Sequence, residues 1–140
     1  MWIFLGILSA FFASLVAILG KLGLKGLDST MATTIRAIIM AIFLFLLSFG
    51  LGRFNNFKLA DLSGRDWWLI IGSGIFGALS WLAYFAALKQ GSATMVSALD
   101  RLSIVFIAIL AIIFLGEQLT WSKGIGIMLI LGGLIIATWK

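Results

Sequence analysis

The chain has 140 residues, is 63% hydrophobic and 11% charged, has a mean hydropathy of +1.22 and carries a formal net charge of +5. So few charges do not cover the surface of a soluble domain of this size, whereas a chain immersed in lipid requires an apolar exterior. The chain has neither cysteine nor histidine, so a disulfide frame, a thiol nucleophile, the usual catalytic base and the commonest metal ligand are excluded, and the expectation is no enzyme, no metal and no cofactor.

A helix needs roughly 20 residues at ~1.5 Å each to cross a ~30 Å hydrocarbon core. The apolar runs then predict five transmembrane helices over about 2–20, 31–51, 67–88, 93–115 and 120–139, in a single domain covering 1–140. The first run follows no positive region and reads as a span rather than a cleavable signal. Lys21, Gly23, Lys25, Gly26 and Asp28 link it to the second, whose uncharged part starts only after Arg36, so that helix includes Arg36. A polar loop from Arg53 to Asp66, containing Asn55, Asn56 and Lys58, precedes Trp67 and Trp68, which open the third span as interfacial anchors.

The uncharged stretch of the fourth span starts at Leu102 and is too short to cross, so its helix extends back through Arg101 and Asp100. Gly116, Glu117 and Gln118 form a tight link, Thr120 caps the last helix, and Trp139 with Lys140 forms a terminal interface anchor. No proline occurs in the chain, so any unwinding is expected at glycine.

Ionisable residues inside a membrane usually face a bundle interior or a cavity. Arg36 and Asp100 enter their spans at similar depth from the same side and are predicted to pair, either as a fixed salt bridge or as a switchable pair beside a substrate path. Arg101 is long enough to snorkel to the interface. Lys21 and Lys89 end their helices where cations suit the helix dipole, and Glu117 sits near the positive end of the last helix, where the dipole accounts for it and a proton-coupling role is the alternative. Gly77, Ser80, Trp81, Tyr84 and Leu88 share one face of the third span; the aromatics read equally as lipid-facing or pocket-lining. Gly77, Gly126 and Gly133 are candidates for helix packing.

The stretch 84–135, through its turn LKQGSA, the segment FLGEQLTW and the glycine-rich GIGIMLILGG, resembles the EamA domain of the drug/metabolite transporter superfamily. The likeness extends to AILGKLGLKGLDS and TTIRAIIM in the first half. Ten-helix members usually carry a proline after the serine of the fourth helix. Here Ile104 follows Ser103, and Asp100-Arg101-Leu102-Ser103 resembles the Asp-Lys-Leu-Ser motif of the small five-helix branch. In the ten-helix relatives two five-helix halves have inverted topology, so the resemblance implies that a single half works beside an oppositely oriented copy.

The charge count permits this. Arg53, Lys58, Arg65 and Lys123 fall on the N-terminal side, against Lys21, Lys25, Lys89 and Lys140 on the other, with Arg36 and Arg101 nearer that second side. So even a balance gives little direction under the positive-inside rule and allows dual insertion. The expectation is a multi-pass plasma-membrane carrier of small solutes, acting as an antiparallel homodimer by alternating access around a site near the midplane. Substrate or coupling roles fall to Arg36, Asp100, Arg101, Trp81 and Tyr84, and structural or gating roles to Lys21, Lys89 and Glu117. The alternatives are a non-transporting membrane subunit or a flippase for lipid or lipid-linked carriers. Partners are the lipid bilayer, a small solute and a second copy. Nucleic acid is not expected, because no soluble docking face exists.

Overall fold

In the computed structural model, residues 1–55 and 57–139 are described. Asn56, read above as part of the polar loop, and Lys140, read as half of the terminal anchor, lie outside them. The described residues form α-helices α1 (Trp2–Gly23), α2 (Ser29–Gly50), α3 (Gly64–Gln90), α4 (Ala93–Asp100), α5 (Ser103–Leu110) and α6 (Trp121–Thr138). A short 3₁₀ turn covers Leu59–Asp61, and a π-helical turn, Ala111–Leu115, continues α5. Five helical runs are long and apolar enough to cross a membrane, with α4, α5 and the π turn together making the fourth, Ala93–Leu115.

Helices α2, α3, α4 and α6 start where a short polar side chain satisfies backbone donors that the first turn leaves unpaired. The Asp28 carboxylate accepts from the N–H groups of Thr30 and Met31 at 2.9 and 3.1 Å. Ser92 accepts from the Met95 N–H at 3.3 Å, and Thr120 from the Lys123 N–H at 3.4 Å. At the start of α3, Ser63 and Asp66 form a reciprocal capping box: the Ser63 N–H donates to the Asp66 carboxylate at 3.0 Å, and the Asp66 N–H donates to the Ser63 hydroxyl at 3.3 Å. Arg65 and Asp66, assigned from the sequence to the polar loop, therefore belong to the first turn of α3. Their charge suggested a loop, and the Ser-x-x-Asp box makes it a helix start.

The fourth run departs from expectation. Its interruption falls at Arg101 and Leu102, between α4 and α5, with no glycine present. There the N–H of Arg101 donates to Ala98, that of Leu102 to Leu99, and that of Ile104 to Arg101, at 3.0 to 3.1 Å. These three-residue steps tighten the chain into a 3₁₀ turn without reversing it. A sequence rule that assigned all unwinding to glycine missed this. Glycine acts at the other end of the run. The π turn ends on Gly116 at φ 67°, a left-handed conformation that favours glycine, and the Glu117 N–H reaches back to the Ala111 carbonyl at 3.2 Å.

The chain divides into two compact units, Met1–Ile18 with Gln90–Lys140, and Leu19–Lys89. In the first, α4 packs against α6, and Val96 and Leu134 are their buried residues. In the second, the buried residues are Leu24, Thr33, Phe85 and Leu88. Most other large apolar side chains are exposed, including Phe43, Phe76 and Leu129. On helices of this length such a surface is the one a bilayer solvates, and the protein is an all-α, multi-pass membrane protein.

Candidate functional site

The second unit gathers polar chemistry around one aromatic cluster. On α3, Trp81, Tyr84 and Phe85 stand three and four residues apart, a spacing that places them on one face. Trp81 meets Tyr84 edge-on at 5.6 Å between ring centroids, Trp81 meets Phe85 at 5.7 Å, and Tyr84 meets Phe85 edge-on at 6.1 Å. Arg36 of α2 is half-buried against this cluster. Its guanidinium carbon lies 3.7 Å from the centroid of the Trp81 ring and 5.3 Å from that of Phe85. One turn earlier, the buried Thr33 hydroxyl donates to the Ser29 carbonyl at 2.7 Å, so it adds no unpaired polar group beneath the arginine.

The energetics favour this placement. An arginine at the centre of a bilayer costs about 2.5–3.5 kcal/mol on insertion scales. A cation over a tryptophan face recovers about 0.5–1 kcal/mol at an exposed site and about 2 kcal/mol when desolvated. The Trp81 ring therefore offsets part of the cost of placing the half-buried Arg36 within the helix.

Phe85 fixes the cluster to α1. A Cβ placed on Gly20 would lie 2.7 Å from Cε1 and 3.2 Å from Cζ of Phe85, so the ring occupies space that only a glycine leaves open. Two lysines bind the ends of the same helices. Lys21 of α1 donates to the Leu88 carbonyl in the last turn of α3. Lys89 of α3 donates at 3.0 Å to the Leu27 carbonyl in the link after α1. Each cation thus serves a carbonyl on the neighbouring strand of chain, whereas the sequence reading gave it only the dipole of its own helix.

The first unit holds the remaining candidates. Asp100 is the exposed last residue of α4, and Arg101 is exposed at the 3₁₀ turn that follows. Glu117 and Lys123 approach to 3.8 Å, both well exposed. Pairs of this kind contribute roughly 0–1 kcal/mol in water. They stand at a cleft of about 380 Å³, walled by Ile104, Ala108, Ala111 and Gly126. Within their own units, neither Gly77, Gly126 nor Gly133 has a neighbouring atom within 4 Å of where a Cβ would stand. The close approach expected at these glycines is found at Gly20 instead.

Sequence reasoning missed Phe85, Gly20 and Thr33. Phe85 is four residues after Trp81 and one after Tyr84, so the helical period that joined the latter two also pointed to it. Gly20 carried no separate signal, because Gly23 and Gly26 follow at once and nothing local distinguishes the glycine that meets a ring from those that only end a helix.

Residues 1–139 match the EamA-like transporter family. The chain is 38% identical over 135 residues to an uncharacterized transporter in the cobO 3′ region of Sinorhizobium sp, a match covering 96% of this chain and 94% of that relative. The relative is therefore also a single unit of about this length. No solved structure matches the chain. With a family match over almost every residue and five helices able to cross a membrane, the chain belongs to the EamA-like transporter family.

Proposed function

We propose that the protein is a secondary transporter of small metabolites in the plasma membrane, working by alternating access as an antiparallel homodimer. The observation that carries this reading is the Arg36 guanidinium held within a membrane-spanning helix, 3.7 Å from the Trp81 ring. A cation kept at that depth on an aromatic support is what a polar solute path requires, and it has little purpose in a purely structural bundle. Asp100, in the other unit, is proposed as the switchable partner of Arg36 and as the acid that couples transport to protons. An odd number of spans and a near-even positive count support insertion in both orientations, so that two copies rebuild the inverted pair of halves.

The test is uptake into proteoliposomes of the reconstituted protein. Asp100→Asn is expected to insert normally and to lose transport. Undiminished uptake by that variant would remove Asp100 from the mechanism.

The cleft beside Glu117 and Lys123 supports a second reading, a flippase for lipid or lipid-linked carriers. Its walls are mostly isoleucine and alanine with charges at one end, a pattern that suits an acyl chain below a polar head. Translocation of a labelled lipid, with no movement of water-soluble solutes, would favour this reading.

A further inference from the structure

We infer that the N–H edge of Arg36, which no described residue of its own unit fills, is a carboxylate receptor once its proposed partner Asp100 releases it, so that the solute the site accepts carries a carboxylate. The inference deepens the transport reading and rests on it for its biological meaning. A guanidinium has five N–H donors, all at its rim. Standing over the Trp81 ring engages its charge and leaves those donors unused, and among the described residues of its own unit no acceptor bonds to Arg36.

The unit's carboxylates are otherwise placed. Asp28 caps α2 through Thr30 and Met31, and Asp66 is held by Ser63. Asp61 follows the far end of α2, about 20 Å along the helix from Arg36 at ~1.5 Å per residue. A partly buried arginine whose rim its own unit leaves open is a strong donor site for a planar anion, because two parallel N–H···O bonds form at once.

Charge selects among anions. The arginine contributes one positive charge in a wall of Trp81, Tyr84 and Phe85. A monocarboxylate neutralises it. A phosphate monoester, at about −1.5 to −2, leaves a net negative charge in an apolar wall, which the membrane penalises. An ammonium solute meets a like charge.

The experiment measures binding separately from transport. Purified protein in detergent is melted in sodium acetate, sodium benzoate, benzamide or benzylammonium chloride at matched ionic strength. Both carboxylates are expected to raise the melting temperature in a saturable way, while benzamide and benzylammonium leave it unchanged. Arg36→Lys keeps the charge and loses the fork, and is expected to weaken the apparent carboxylate affinity at least tenfold. Trp81→Leu keeps the fork on a looser support and is expected to weaken the response without abolishing it.

No shift with either carboxylate, an equal shift with benzamide, or an undiminished carboxylate response in Arg36→Lys would each overturn the inference. The wild-type comparison of benzoate with benzamide decides it even where a variant does not fold. Counterflow in proteoliposomes reads the transport proposal independently. Carboxylate binding with no movement of any solute would remove transport and keep the receptor. Uptake of neutral or cationic solutes without carboxylate binding would do the reverse.

Discussion

Replacing Gly20 by alanine tests how the aromatic cluster is held. The added Cβ would lie 2.7 Å from Cε1 of Phe85, where unstrained carbon contacts stand at about 3.5–4.0 Å. The ring must therefore retreat by about 0.8 Å or more. Phe85 has little room to do so, being only 3% exposed and in ring contact with Trp81 and Tyr84. Overpacking of this kind costs about 1–3 kcal/mol. Alanine returns up to about 1 kcal/mol through its better helix propensity. The net expectation is destabilisation by about 1 kcal/mol, with a shift of Trp81 that carries Arg36 with it. Thermal unfolding in detergent compares Gly20→Ala with Gly23→Ala, whose Cβ meets nothing within 4 Å. Gly23→Ala is expected to be neutral or slightly stabilising. Gly20→Ala combined with Phe85→Leu is expected to recover part of the loss, because the shorter side chain vacates the contested space. Equal melting of the two alanine variants, or strict additivity in the double variant, would refute the claim that Gly20 exists to admit the ring.

The cross-linking lysines and the first helix cap give two further expectations. Lys21→Met removes a bond to the last turn of α3 and Lys89→Met one to the link after α1; by thermal unfolding each is expected to cost about 1 kcal/mol, with Lys21, the less exposed of the two, costing more. The Asp28 carboxyl is held below its ordinary value mainly by the Met31 N–H; desolvation opposes this, and the backbone and side chain of Thr30 and the charge of Lys89 add to the lowering. A depressed folded-state value means that this stability is present above the unfolded value and lost as pH falls through the folded one. Asp28→Ala is thus expected to melt below wild type at neutral pH and to converge on it as pH falls below the ordinary carboxylate value. A gap that persists in acid would contradict the assignment.

Much of the architecture was legible from local signals. Long uncharged runs marked the helices, and the impossibility of crossing with residues 102–116 alone correctly placed Asp100 and Arg101 in the helical run. Thr120 reads as a cap from its position alone and serves as one. Arg36 stood out because a charge inside an apolar helix demands a reason. What faces it was not legible. Spacing placed Trp81 and Tyr84 on one face but cannot say whether lipid or a neighbouring helix covers that face. The choice of Gly20 over the glycines that follow depends on which helix crosses α1 there, a tertiary fact with no local trace. The 3₁₀ turn at Arg101 and Leu102 was missed for the same reason, since neither residue breaks helices by propensity.

A carrier built from oppositely oriented copies must insert both ways, and membrane sidedness reads this out. The chain has no cysteine, so Ala60→Cys, in the exposed turn between α2 and α3, introduces a single label without altering the charge balance that sets orientation. Intact cells are treated with an impermeant thiol reagent, and the remaining thiols are labelled after permeabilisation. Roughly equal labelling from the two sides is expected. Labelling from one side alone would contradict the antiparallel homodimer.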